Sequence, residues 1–251
     1  MIMLRPLIIF AGLLLIWQVI VWVSGAPPFI LPSPFRVGGA LADQIDIILP
    51  HAGVTLAEIL MGLIIGAILG SVSALTMAYF APARRWLFPV LVISQAIPVF
   101  ALAPILVLWL GYGIISKVAM ATLIIYFPVT AAFFDGLRRT EPGYMDLART
   151  MNASRWAILR QIRLPAALPA FASGLRVATA VAPIGAIVGE WVGSSQGLGF
   201  LMLHANGRMQ IDVMFASLFI LAIIAVTIYF IVDAGLRRLL SWQPESHPSN
   251  D

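Results

Sequence analysis

The sequence predicts an all-α membrane protein with about six transmembrane helices, and three observations predict it. Hydrophobic residues fill 61% of the 251 positions and charged residues 10%, giving a mean hydropathy of +0.99. One soluble domain of this length could not bury so much apolar surface. The apolar residues also gather in runs near the ~20 residues that cross ~30 Å of hydrocarbon as helix. Finally, the positive charge segregates to alternate connections, as it does in polytopic proteins.

The spans read as 4–23, 54–80, 86–110, 114–134, 167–192 and 213–232, in one transmembrane domain covering 1–251. The first carries a single arginine and no small-residue cleavage site leading into a soluble domain. It therefore reads as a retained helix. The connector Pro27–Pro34, PPFILPSP, reads as an extended, proline-stiffened segment, and residues 37–49 read as an amphipathic stretch against the membrane surface. In the second span Gly62, Gly66 and Gly70 recur every four residues, so one face lacks side chains and admits a neighbouring helix. Glu58 continues that face, where a structural role outweighs a transport role. The third span holds Pro89, Pro98 and Pro104 with Ser94 and Gln95 beside the middle one, which predicts a kinked helix facing protein or a cavity. Pro128 adds a milder kink in the fourth.

The fifth span combines Arg176, Pro183 and Glu190 with small residues at Gly185, Gly189 and Gly193. Arg176 and Glu190 stand 14 residues apart, about 21 Å along a helix axis, so they cannot pair within one straight helix. Each should face the bundle, another subunit or water. Arg176 reads equally as a pathway residue and as one that snorkels or pairs with a neighbouring helix. Gln95, Pro98, Arg176, Pro183 and Glu190 are the candidate pathway or hinge positions. The glycine-rich segment after Glu190, WVGSSQGLGF, reads as a tight re-entrant turn or gate-like loop, because no phosphate-binding pattern surrounds it.

Charge orients the chain. With the N-terminus inside, eleven of the 15 Lys and Arg residues lie on the cytoplasmic side: Arg5, Arg84, Arg85, Arg138, Arg139, Arg149, Arg155, Arg160, Arg163, Arg237 and Arg238. Arg36, Lys117 and Arg208 lie outside. Both termini are expected in the cytoplasm. The pI near 10.0 therefore reflects membrane loops, and no nucleic-acid partner is expected. There is no cysteine, and the histidines at 51, 204 and 247 are scattered, so neither a metal site nor a cofactor is expected. Ser94, Ser194 and Ser195 lack a histidine on the expected helical faces, which disfavours an intramembrane enzyme.

The long charged stretch is Tyr144 to Pro169, YMDLARTMNASRWAILRQIRLPAALP, in the connection 135–166. Asp146 to Met151 reads as one short helix and Ala153 to Ile162 as another. Asn152 sits at the joint, where Asn tolerates a left-handed backbone. Leu164-Pro165 and Leu168-Pro169 should end the motif and reset the chain into the next span.

These residues resemble the permease subunits of binding-protein-dependent ATP-binding-cassette importers. The family loop reads Glu-Ala-Ala, three residues, Gly, nine residues, Ile, one residue, Leu-Pro. Here Asp146-Leu147-Ala148, Asn152, Ile162 and Leu164-Pro165 keep the spacing, with Asp for Glu, Leu for Ala and Asn for Gly. LPSP at 31–34, IPVFALAPILVLWLGYG at 97–113 and GEWVGSSQGLGF at 189–200 resemble the nitrate, sulfonate, taurine and thiamine-pyrimidine branch. LMLHANGRMQIDVMF at 201–215 resembles permeases for the thiamine pyrimidine precursor.

The resemblance implies the type I importer permease fold in a bacterial inner membrane. It also implies a second copy of the chain, two cytoplasmic ATPase subunits and an extracytoplasmic binding protein. Asp146, Leu147, Ala148, Asn152, Ile162, Leu164 and Pro165 would form the coupling helix between the fourth and fifth spans. The chain would move a small solute, a hydroxymethylpyrimidine-like thiamine precursor or a sulfonate- or nitrate-type solute, by alternating access without hydrolysing ATP itself. The competing class is an ion-coupled secondary transporter using Glu58, Glu190 and Arg176 as a relay, although no internal repeat accompanies it.

Overall fold

A computed structural model describes residues 4–94 and 96–242. They form eleven α-helices: α1 (Leu4–Ser24), α2 (Pro34–Asp43), α3 (Ile45–Tyr79), α4 (Ala81–Ser94), α5 (Val99–Leu110), α6 (Ile114–Arg138), α7 (Pro142–Thr150), α8 (Arg155–Ile158), α9 (Leu164–Gly193), α10 (Leu198–Gly207) and α11 (Ile211–Leu239). A π-helical turn, Leu159–Arg163, joins α8 to α9. No strand occurs among the described residues.

Four helical stretches among the described residues are long and apolar enough to cross a membrane: Ile45–Tyr79, Ile114–Arg138, Arg155–Gly193 and Ile211–Leu239. The bent pair α4 and α5 supplies a fifth if it counts as one span, and the apolar helix α1 stands before them.

The core is α6 sandwiched between α3 and α9. Small residues set this spacing, because lipid gives no hydrophobic reason for two apolar helices to pair and backbone proximity must supply the contact. A Cβ added at Gly62 would stand 2.5 Å from the Ala121 Cβ, at Gly66 2.6 Å from the Ile125 Cγ2, and at Gly70 3.0 Å from the Val129 Cγ1. From α9, a Cβ at Gly185 would lie 2.6 Å from the Ala121 Cα, and one at Gly189 3.1 Å from the Lys117 Cα. Ala121 is thus clasped between two glycines.

A test follows from which atom each glycine meets. Gly62→Ala collides with a methyl group, whereas Gly185→Ala collides with backbone. Overpacking costs about 1–3 kcal/mol, more than the ~0.5–1 kcal/mol that alanine gains over glycine inside a helix. Both variants are expected to lower thermal stability in detergent. Adding Ala121→Gly should restore Gly62→Ala and leave Gly185→Ala impaired.

The structure corrects four expectations. Residues 27–34 are not fully extended: the Ile30 and Leu31 N–H groups donate to the Pro27 carbonyl at 2.8 and 3.1 Å, closing a turn on an acceptor that proline retains. Residues 37–49 are not one surface element. Val37 lies in α2, which Ser33 caps through the Arg36 N–H and Pro34 opens, and Ile45 already belongs to α3. The second span therefore begins well before residue 54, with Pro50 inside it. Hydropathy locates the apolar part of a helix, not its first turn.

The third span is broken, not kinked. Helices α4 and α5 meet at 104°. Pro98, at φ −59° and ψ 121°, precedes α5 in a non-helical conformation, and Ile97 before it is driven from the α region. The fourth correction concerns Leu164-Pro165. Instead of ending the motif, these residues open α9, with a proline in the first turn. That position needs no N–H partner, and the wider π turn just before it carries the chain on. Pro169 then lies inside α9.

Candidate functional site

The charged connection between α6 and α9 folds into a compact element. Helix α7 opens with a proline, and its C-terminus is closed around Asn152. Asn152 adopts φ 58°, the left-handed conformation that Asn reaches at modest cost. This turn lets the Ala153 N–H reach back to the Ala148 carbonyl at 2.9 Å, while Met151 N–H donates to Leu147 O at 3.0 Å. The pattern satisfies carbonyls that a helix end otherwise leaves without donors. Ser154 then caps α8, its hydroxyl accepting from the Ala157 N–H at 3.2 Å.

Outward this element presents four large apolar side chains set among charged and polar ones. Tyr144, Leu147, Met151 and Trp156 are exposed, while Ala148 and Leu159 are buried, Leu159 in a core cluster with residues of α3, α4, α6 and α9. The Asp146–Arg149 ion pair, 3.2 Å with both side chains 70% exposed, contributes little to stability. Ile162 and Leu164 are half-buried, and Pro165 is exposed. Arg163 fixes the element to the membrane helices: its Nε donates to Leu137 O at 2.9 Å and an Nη donates to Ala78 O at 3.3 Å. Those carbonyls lie at the C-terminal ends of α6 and α3, where a cation also suits the helix dipole. The anchor ties the π turn to the ends of two spans. Ser154 and Arg163 escaped the sequence reading. Serine just before a helical run was the available signal for the cap; nothing marked Arg163 among so many arginines.

The candidate pathway residues do not form one cluster. Pro98 is exposed at the α4–α5 bend, and Gln95 lies outside the described residues. Arg176 is paired with Asp233 of α11, Nε to Oδ1 2.6 Å, and Asp233 also accepts from Arg237 at 2.8 Å. Pro183 and Glu190 are buried.

Glu190 instead fastens the glycine-rich loop. Its carboxylate accepts from the Thr55 hydroxyl at 2.6 Å and from the Gly199 N–H. Thr55 in turn accepts from the Leu198 N–H at 2.8 Å, and His51 Nδ1 accepts from the Gly197 N–H at 2.9 Å. Gly197 has φ 108°, and a Cβ there would fall on the Glu190 carboxylate. Glu58 is buried alongside with its Oε2 lacking a partner, and the Lys117 ammonium donates to the Tyr112 and Gly113 carbonyls. Residues 194–199 are thus a tight turn closed onto α3 and α9, leading into α10. Sequence patterns could not show that His51 and Thr55 converge on it across more than a hundred residues.

Comparison with known proteins decides the family. Residues 45–241 match the binding-protein-dependent transport system inner membrane component. The chain belongs to that family. It is 54% identical to a probable ABC transporter permease protein of Haemophilus influenzae, over 95% of this chain and 97% of that protein. It is 37% identical to a formylaminopyrimidine transport permease protein of Halalkalibacterium halodurans, over 96% of each. Permeases named for taurine and aliphatic sulfonates match more distantly. In fold it is similar to a chain of the inward-facing MetNI methionine ABC transporter, with a TM-score of 0.67 at 20% identity, covering 78% of this chain and 98% of that one. The chain is therefore an importer permease subunit of the type I fold, a multi-pass inner-membrane protein in the nitrate, sulfonate, taurine and thiamine-pyrimidine branch.

Proposed function

We propose that this permease, as a pair of copies, moves a small pyrimidine related to the thiamine precursor from an extracytoplasmic binding protein into the cytoplasm, driven by two ATPase subunits. The observation that carries the mechanism is the α7–Asn152–α8 element, whose spacing matches the family's coupling loop. Asp146, Leu147, Ala148, Asn152, Ile162, Leu164 and Pro165 shape a face that docks on the ATPase. Arg163 passes the ATPase's movement to α3 and α6. Energy for switching between outward and inward states comes from the partners' differential binding to those states. The arginine-rich end, carrying this element, faces the cytoplasm with both termini. Pro98, at the bend between α4 and α5, and Gln95 line or hinge the route. Arg176, Pro183 and Glu190 act as fixed points around which helices rock.

The pyrimidine assignment rests on the 37% identity to the H. halodurans permease over 96% of both chains and on the 201–215 segment. It is tested by purifying the cognate binding protein and identifying the ligand it retains by mass spectrometry. A formylated or hydroxymethylated aminopyrimidine is the expected result. A sulfonate or an amino acid would overturn the substrate and leave the coupling mechanism standing.

A further inference from the structure

A cavity of about 640 Å³ opens where α3 ends beside the second half of the coupling element. That volume lies within the ~300–1,000 Å³ of sites that enclose small ligands. Its walls include Val72, Leu75 and Tyr79 from α3, Phe80 just after it, and Trp156 and Leu159 from α8 and the π turn, and they are predominantly apolar; Arg160 stands among them. At about 100° per residue, Val72, Thr76 and Tyr79 lie roughly 180–240° around α3 from Gly70. They therefore face away from α6, which the glycine row contacts. Val72, Phe80 and Trp156 are more than half exposed, as expected of a surface that meets lipid.

Charge selects the kind of lipid. Arg160 makes no ion pair among the described residues. Tyr79 and Trp156 meet edge to face with centroids 6.2 Å apart, and such rings favour headgroup level. An apolar slot, an aromatic rim and the Arg160 guanidinium line one groove. Basic pockets between helices at a membrane surface bind anionic headgroups.

We propose that this groove holds an anionic phospholipid, one acyl chain lying along Val72, Leu75 and Leu159 and the phosphate meeting Arg160. The lipid would wedge between α3 and the second coupling helix, completing the packing that the protein leaves open there. Its occupancy would stiffen the joint that Arg163 bridges.

The experiment uses the full chain, delipidated in detergent and titrated with dioleoylphosphatidylglycerol or dioleoylphosphatidylcholine under native mass spectrometry. The glycerol lipid is expected to bind preferentially. Arg160→Gln should weaken it about fivefold, the loss of one cationic contact at a membrane surface, and leave the choline lipid unchanged. Leu75→Trp, which fills the slot, should remove binding of both. Equal binding of the two lipids, or undiminished glycerol-lipid binding by Arg160→Gln, overturns the proposal whether or not Leu75→Trp folds. So does a disulfide-linked dimer of Thr76→Cys in native membranes, since the chain has no other cysteine and a second copy would then cover the groove.

Discussion

Asn152→Pro abolishes ATP-driven uptake and co-purification of the ATPase, while the membrane helices remain folded. Proline fixes φ near −65°, and the native φ is 58°, so the chain cannot turn from α7 into α8. The Ala153 to Ala148 bond is lost with the turn, as is the Asn152 N–H donation to Arg149 O. Asn152→Gly is expected to keep full activity, because glycine reaches the left-handed region freely. Asn152→Val should fall between them, since a side chain without local hydrogen bonding pays about 1–2 kcal/mol there, equivalent to roughly 5–30-fold in a two-state equilibrium. Asp146→Ala, which removes only an exposed ion pair, should have little effect on folding. Transport by the proline variant at the wild-type rate would contradict the role given to this joint.

Gly197→Ala produces the largest expected loss of stability. Its φ of 108° is one that side-chain-bearing residues rarely adopt, at a cost of about 1–3 kcal/mol. The new methyl also occupies the place of the Glu190 carboxylate. If Glu190 is displaced, the Thr55 hydroxyl and Gly199 N–H lose their buried acceptor, at about 1–3 kcal/mol for each unsatisfied group. The summed effect should lower the unfolding temperature by on the order of 10 °C, taking ~2–4 °C per kcal/mol for a chain of this size. Fluorescence-detected thermal unfolding in detergent measures it. Ser194→Ala, which removes only the exposed bonds to the Gln196 carbonyl and from the Gln196 N–H, serves as the control. A Gly197→Ala protein as stable as that control would show that the loop is not held through Glu190.

The parts of this molecule that obey a local rule were legible in the sequence. Apolar run length found the apolar parts of helices, four-residue glycine spacing marked a helix face, and Asn152 announced a left-handed joint. What escaped depends on partners distant in sequence. Arg176 could be weighed only as pathway or pair until Asp233, 57 residues on, was seen beside it. Glu190 looked like a pathway carboxylate because nothing local says that Thr55 and Gly199 consume its oxygens. The prolines of the third span predicted a disturbance without its size, since kink and break differ in whether packing restores the helix beyond the proline. Pro165 misled for the opposite reason, standing in a first turn where it costs nothing.

The central claim is that this chain is moved by ATP hydrolysis in partner subunits, through the α7–α8 element. It is tested most directly by solute uptake into proteoliposomes holding the permease and its ATPase, with the loaded binding protein outside and ATP inside. Uptake should require all three components and ATP, and should disappear with Asn152→Pro while Asn152→Gly retains it. Uptake by the permease alone, driven by a proton or sodium gradient without ATP, would contradict the account.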